Sequence, residues 1–316
     1  IELSYRPSCH KMIDISIIIV NYNVKEYIID CIQSIKRWTP EKTSYEIIVI
    51  DNKSEDDSVG TLTSKFPEIT IIKNKQNIGF SRAINQGAEL AQGTHLFILN
   101  PDTLLIEDSL TKLVSFLNEH NRIGIVGPTL VNQNEKVQQS FWKFPTLLTA
   151  VLEIYHLDYL NKYKNYIYRN KSEYIYADSV SGGAFFLKKS LFNELNGFID
   201  NLFWMEDVDF CKRASSVGYK VAYLSHTKLI HYIGRSSDKN WVVTISNRLL
   251  SKIKYFKLHH GSIDVFLLVL SIYLLVILKS TFFILLSPFG SIYRKKLSGY
   301  LTTLKKLITG QYQVVC

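Results

Sequence analysis

The chain has 316 residues, 47% hydrophobic and 21% charged, which is enough to bury a full core and excludes a disordered or collagenous chain; the length suggests one large domain plus an appendage. Its four cysteines, Cys9, Cys31, Cys211 and Cys316, show neither paired spacing nor clustering, which argues against a zinc knuckle or a disulfide framework and fits a reducing cytosol. A net charge of +9 suits nucleic acid, anionic lipid or a phosphorylated substrate; but Lys252, Lys254, Lys257, Arg294, Lys295, Lys296, Lys305 and Lys306 flank the most hydrophobic stretch, which points to a membrane surface.

Residues 1–11 contain no apolar run, so no secretory signal is expected there; Met12 reads as a natural start and residues 1–12 as an extension outside the core. Residues 15–20 are apolar and β-branched and end in the turn Asn21-Tyr22-Asn23, and a helical pattern follows through Ile28, Ile29, Ile32 and Ile35. Residues 46–50 repeat the theme and end at Asp51-Asn52. Residues 69–73 give a third strand before the turn Asn77-Ile78-Gly79-Phe80, and 81–91 read as a helix. A fourth buried strand, 95–99, delivers Asn100-Pro101-Asp102-Thr103, with a helix over about 106–118 after it. Alternating strands and helices imply a parallel sheet whose ligands bind at the carboxyl ends of the strands, where Asn21, Asp51 and Asp102 fall.

From 124 to 190 the pattern loosens into a Tyr-rich, partly helical stretch, read as elaboration on the acceptor side. It closes with Ser181-Gly182-Gly183-Ala184 before a strand at 185–187. After the acidic run Trp204-Met205-Glu206-Asp207-Val208-Asp209, residues 221–224 and 228–231 read as two short strands. Residues 264–286 are almost entirely apolar, interrupted by Lys279, and as a helix could just cross a bilayer core. Basic residues at both ends favour a re-entrant or in-plane arrangement with both ends cytoplasmic; the bland alternative is a buried core or dimer helix.

Asp51, at a strand end, can accept hydrogen bonds from a nucleotide, although such an Asp is more often a turn or cap residue. Pro101 fixes the backbone beside Asp102, whose carboxylate can meet a hard divalent cation or simply cap the next helix. Glu206, Asp207 and Asp209 crowd within four residues, and Arg213 can relieve the repulsion. Asp209 and Arg213 form an i,i+4 pair, read as a solvated salt bridge, whereas Asp207 near Trp204 reads as a site residue. His231 is a candidate third ligand or diphosphate contact, with His226 as a structural competitor.

Taken in order, the runs Ser16-Ile17-Ile18-Ile19-Val20-Asn21-Tyr22-Asn23, Val49-Ile50-Asp51-Asn52-Lys53-Ser54, Asn77-Ile78-Gly79-Phe80, Asn100-Pro101-Asp102, Gly182-Gly183-Ala184 and Trp204-Met205-Glu206-Asp207-Val208-Asp209 resemble the family 2 glycosyltransferases. Within that family they look most like bacterial rhamnosyltransferase-type members, over residues 15 to about 237. The resemblance implies a GT-A fold: an α/β architecture with a mainly parallel central sheet flanked by helices, here followed by an apolar, membrane-associating helical segment. It implies inverting transfer from a nucleotide-diphosphate sugar, dTDP-rhamnose as the leading guess, with Mg or Mn as cofactor.

Carried over, Asp207 is the base, with Glu206 beside it in the catalytic motif. Asn21, Tyr22, Asn23, Asp51, Asn77, Gly79, Phe80, Asn100 and Asp102 contact the nucleotide-sugar. Gly182, Gly183, Trp204 and Arg213 line the acceptor or donor-sugar pocket, and Asp102 and His231 hold the metal. Asn100 departs from the family pattern, in which many relatives carry Asp.

The expected division is a catalytic domain at 13–240, with a nucleotide-sugar half at 13–123 and an acceptor half at 124–240, and a helical membrane-associating region at 241–316. Expected partners are the donor, a lipid-linked or glycan acceptor of cell-surface polysaccharide synthesis, and the cytoplasmic face of the bacterial inner membrane. Nucleic acid ranks last, because the basic residues flank an apolar segment and do not interleave with aromatic platforms. A homo-oligomer is left open. The competing function is a catalytically impaired, nucleotide-sugar-binding scaffold subunit, suggested by Asn100.

Overall fold

The structure, a computed structural model, describes residues 13–157, 172–200, 202–232 and 241–310. The extension at 1–12, Cys9, Cys316 and part of the Tyr-rich stretch lie outside the described residues.

Strand β1 (Ile15–Asn21) is buried along nearly its whole length, because helices cover both faces of the sheet at that point. Helix α1 (Lys25–Trp38) buries the stripe Ile28, Ile29, Cys31, Ile32 and Ile35, the spacing expected of one helix face. Strand β2 (Tyr45–Asp51), helix α2 (Ser58–Lys65), strand β3 (Thr70–Lys73), helix α3 (Phe80–Leu90) and strand β4 (His95–Leu99) complete a parallel array ordered β3-β2-β1-β4. Its register places Asn21 directly beside Asp51 at the carboxyl edge.

The expected helix over 106–118 forms as α4 (Ser109–Glu119), N-capped by the Asp108 side chain. A short strand the sequence did not announce, β5 (Thr103–Leu105), precedes it. The looser stretch after 123 opens with a nine-residue buried strand, β6 (Ile123–Val131). Gly124, Gly127 and Pro128 disguise it as a breaker-rich segment. A Cβ on Gly127 would lie 2.5 Å from Val180 Cβ, so this glycine marks close packing where the sequence suggests a turn.

Next come β7 (Phe141–Trp142), α5 (Leu147–Ile154), β8 (Tyr174–Ala177), β9 (Ser179–Val180), β10 (Ala184–Lys188), α6 (Lys189–Glu194) and α7 (Glu206–Ser216). The two short strands expected at 221–224 and 228–231 form one continuous strand, β11 (Lys220–His231), whose irregular register between Leu224 and Lys228 accounts for the break in the sequence pattern. The full sheet order is β3-β2-β1-β4-β10-β6-β11-β5, with β8 beside β11. Strand β10 runs antiparallel to both of its neighbours, so the second half of the sheet is mixed.

Alternate residues feed two cores. Ile15, Ile17 and Ile19 pack with α1 and α4 on one face. Ile18, Ile98 and Phe185 pack with α3 and α7 on the other. A third core joins α5, α8 (Trp241–His259), α9 (Ser262–Leu286) and α10 (Ser291–Ile308), and it also takes in Leu202 and Met205 from the loop entering α7. Helix α9 is the one helix among the described residues that is long and apolar enough to cross a membrane. It buries Leu268, Ile272, Leu275, Val276 and Phe283 and exposes Phe266, Leu270, Leu274, Ile277 and Phe282.

Candidate active site

At the parallel edge, Asn21 sits at the centre of a closed polar cluster. Its Nδ2, with two hydrogens to give, lies 2.8 Å from Asp51 Oδ1, 2.7 Å from Ser58 Oγ and 3.0 Å from Ser54 Oγ, while its Oδ1 is buried without a partner. Asp51 Oδ2 accepts from the Ser54 amide at 3.1 Å. Both residues are buried, whereas Tyr22 between the strand end and Asn23 is exposed. Asn23 takes the left-handed backbone that Asn tolerates, and its Oδ1 accepts from the Glu55 amide at 2.7 Å.

On the neighbouring turn, Gly79 has φ +85° and ψ 166°, a conformation open to glycine, and its amide donates to Asn77 Oδ1 at 2.9 Å; Phe80 then starts α3. The sequence did not single out the amides that tie these turns together. Asn74 donates to Asn52 Oδ1 at 3.0 Å and to Gln86 Oε1 at 3.1 Å.

The acidic turn is assembled by strands from distant parts of the chain. Strand β10 runs antiparallel to β4 with Ala184 opposite Leu99, and the Asn100 amide donates to the Gly183 carbonyl at 3.0 Å. Strand β11 runs antiparallel to β5 with His231 opposite Thr103, which brings His231 Nε2 to 3.5 Å from Asp102 Oδ1.

Gln138 fixes the imidazole. Its Nε2 donates to the His231 carbonyl at 2.8 Å, so its Oε1, 3.2 Å from Nδ1, is an acceptor and Nδ1 carries the proton. The Nε2 lone pair then faces a buried Asp102 oxygen that has no hydrogen-bond partner. Two lone-pair atoms opposed in this way suit a shared divalent cation. The described residues contain no group of three or more His, Cys, Asp or Glu placed to hold a metal.

Asp207 lies on the other side of the same glycine turn. Its Oδ2 accepts from the Gly182 amide at 2.7 Å and its Oδ1 from the Val208 amide at 2.8 Å. A Cβ on Gly182 would touch Asp207 Oδ2 at 3.4 Å, and one on Gly183 would touch His231 Nε2 at 3.4 Å. The Asp207 carboxylate and the His231 imidazole thus pack against successive glycines of one turn.

Burial raises the Asp207 carboxyl above the ordinary carboxylate range, against the pull of its amide donors. Burial and then the adjacent Asp207 charge raise Glu206 further. Glu206 is turned inward, where Oε2 accepts from the Met205 amide at 3.1 Å.

Two sequence expectations need correction. Asp209 is fully buried, and its partners are Arg213 Nε at 2.9 Å and His259 Nε2 at 2.7 Å, because the end of α8 covers this face of α7. Arg213, expected to line the pocket, gives its remaining nitrogens to the Leu195 and Gly197 carbonyls at 2.7 and 2.8 Å. It therefore braces the fold around α7. His259 had no signal in the sequence that could have found it. Trp204, three residues before Asp207, is 45% exposed with φ +62°. A bulky side chain in that backbone region costs roughly 1 kcal/mol or more, which surrounding contacts must offset.

The sequence pattern of glycosyl transferase family 2 matches residues 16–195. Over 117 residues the chain is 33% identical to a minor teichoic acid biosynthesis protein of Bacillus subtilis, covering 36% of this chain and 13% of that protein. Over 212 residues it is 22% identical to an N-acetylglucosaminyl-diphospho-decaprenol L-rhamnosyltransferase of Mycobacterium tuberculosis, covering 61% of this chain and 68% of that one. Among solved structures it is similar to a mannosyltransferase of Pyrobaculum calidifontis in complex with GDP-Man and Mn2+. The TM-score is 0.55 at 14% identity, covering 94% of this chain and 86% of that one. That likeness shows the fold, GT-A, as the motifs implied.

Proposed function

Because the chain belongs to glycosyl transferase family 2, we propose that this glycosyltransferase moves a sugar, with inversion, from a nucleotide-diphosphate donor to a lipid-linked or glycan acceptor in bacterial cell-surface polysaccharide synthesis. The observation that carries the reading is the Gly182–Gly183 turn, with the Asp207 carboxylate against one glycine and the Asp102–His231 pair against the other. An acceptor hydroxyl beside Asp207 and a sugar diphosphate beside Asp102 would meet across it. Asp207 takes the hydroxyl proton, the freed oxygen attacks the anomeric carbon, and the bond from that carbon to the diphosphate oxygen breaks, releasing the nucleoside diphosphate. A single displacement inverts the anomeric centre. The raised proton affinity of Asp207 suits a base that must accept a proton near neutral pH.

Asp102 and His231 would hold Mg or Mn, which when bound stabilises negative charge on the leaving diphosphate. The Asn21–Asp51 cluster and the Asn77–Gly79 turn form the nucleotide end of the site. Rhamnose from dTDP-rhamnose remains the leading donor, supported by the likeness to a rhamnosyltransferase.

The domain at 13–240 faces the cytoplasm, and 241–316 rests it on the inner membrane. Helix α9 lies in the membrane surface and does not cross it, for a reason found in α10. That helix packs against both α8 and α9, and a crossing α9 would drag exposed Arg294, Lys295 and Lys305 through hydrocarbon.

The test is turnover across a panel of nucleotide sugars with Mg or Mn, comparing wild type with Asp207→Asn. One donor consumed with inversion by wild type and spared by the variant is the expected result. Equal turnover by both proteins would remove Asp207 from the mechanism, and binding without turnover of any donor would favour the scaffold subunit.

A further inference from the structure

Next to Trp204 the chain builds a feature that the transfer chemistry above does not use. The Arg248 guanidinium lies over the Trp204 ring, 5.4 Å from its centroid, while Phe203 stacks on the same residue at 4.9 Å. The Phe203 amide donates to Ser251 Oγ of α8 at 2.7 Å, so the loop is pinned to the helix that carries Arg248. The left-handed backbone of Trp204 is thereby held, and its ring stays exposed.

The local charge is unbalanced. Lys252, with its side chain 6% exposed, closes on Glu153 Oε2 at 2.7 Å, whereas Arg248, 47% exposed, reaches Glu153 Oε1 only at 3.5 Å. Among the described residues one carboxylate faces these two cations, and Arg248 makes the longer and more exposed of the two contacts.

We infer that Arg248 and Trp204 form the acceptor platform, with Arg248 binding the diphosphate of a polyprenyl-linked acceptor and the Trp204 ring supporting its sugar. This rests on the lipid-linked acceptor reading above and deepens it. One extended ligand would then take Asp207 for its hydroxyl, Trp204 for the sugar face, Arg248 for the phosphates and the exposed face of α9 for the isoprenoid. Leu202 and Met205, on either side of Trp204, share one core with α8 and α9, so these features are fixed to one another. A planar guanidinium is suited to phosphate oxygens, and an indole face to the apolar face of a sugar ring.

The test compares two acceptors in detergent micelles free of anionic lipid: N-acetylglucosaminyl-diphospho-farnesol and an N-acetylglucosamine glycoside with a neutral alkyl aglycone of similar length. The quantity read is the ratio of their kcat/KM values. Arg248→Ala is expected to lower the wild-type preference for the diphosphate acceptor by about tenfold or more, the loss of a charge-assisted contact, with Arg248→Lys in between. Arg248→Gln, closer in volume, gives the same reading should the alanine variant fail to fold.

A wild-type preference that survives in Arg248→Ala overturns the platform and leaves the acceptor reading standing. A wild-type enzyme indifferent to the diphosphate overturns both. If Arg248→Ala keeps the preference but loses flotation with anionic vesicles, Arg248 serves bilayer phosphates and the platform is again wrong.

Discussion

At the end of β2 the Asp51 carboxylate rests among neutral donors, the Asn21 amide and the Ser54 backbone, in a cluster built from two adjacent strand ends and the start of α2. At the start of α7 the Asp207 carboxylate is held by two backbone amides in a wall that raises its affinity for a proton, and helix α8 backs that wall from 40 or more residues further along the chain. The first arrangement is a fixed polar surface suited to recognition. The second is a carboxylate of raised proton affinity whose setting depends on long-range contacts, as the proposed base requires.

Asp207→Asn should break the comparison most sharply. A drop in kcat of roughly 10²–10⁴-fold with unchanged donor affinity is expected, by steady-state kinetics and calorimetry. In wild type, the acid limb of kcat/KM should lie above the ordinary carboxylate range. The base must be unprotonated, so a raised pKa means activity appears only as the pH climbs past that raised value; a limb near pH 4 would contradict the burial argument.

Arg213→Ala leaves the buried Asp209 charge short of a partner and should cost about 3–5 kcal/mol in denaturant unfolding. Asn21→Ala, in the other cluster, takes one neutral donor from the Asp51 carboxylate and should cost about 1–3 kcal/mol. Gln138→Leu frees the His231 tautomer and should weaken Mn affinity about 10- to 100-fold while leaving Asp207 titration in place. Leu270→Ser, on the outer face of α9, should shift stability by less than about 0.5 kcal/mol and still reduce vesicle flotation. Leu268→Ala on the inner face of the same helix should cost about 2–5 kcal/mol.

The same contrast explains what could be read from the sequence. Asn21, Asp51 and the 77–80 turn are legible because each follows its own apolar run and a parallel sheet gathers strand ends by rule. The carboxylates of α7 are legible as a dense acidic motif. What escaped depends on pairing between distant segments. Strand β5 is three residues long and visible only once β11 lies beside it. Strand β6 hides behind Gly127 and Pro128, whose roles are set by Val180 and the irregular register of β11. Gln138 and His259 carry no local pattern, and Arg213 looks like a pocket residue until Asp209 is seen to be buried.

The shared core of α8, α9 and the loop at Leu202 and Met205 bears on where this chain can be cut. Cutting the chain before α8 would expose those two apolar side chains, take Ser251 from Phe203 and take His259 from Asp209. A shortened protein would therefore lose the packing that shapes the loop entering α7. Replacing the outward-facing apolar side chains of α9 with polar ones would keep every one of those contacts.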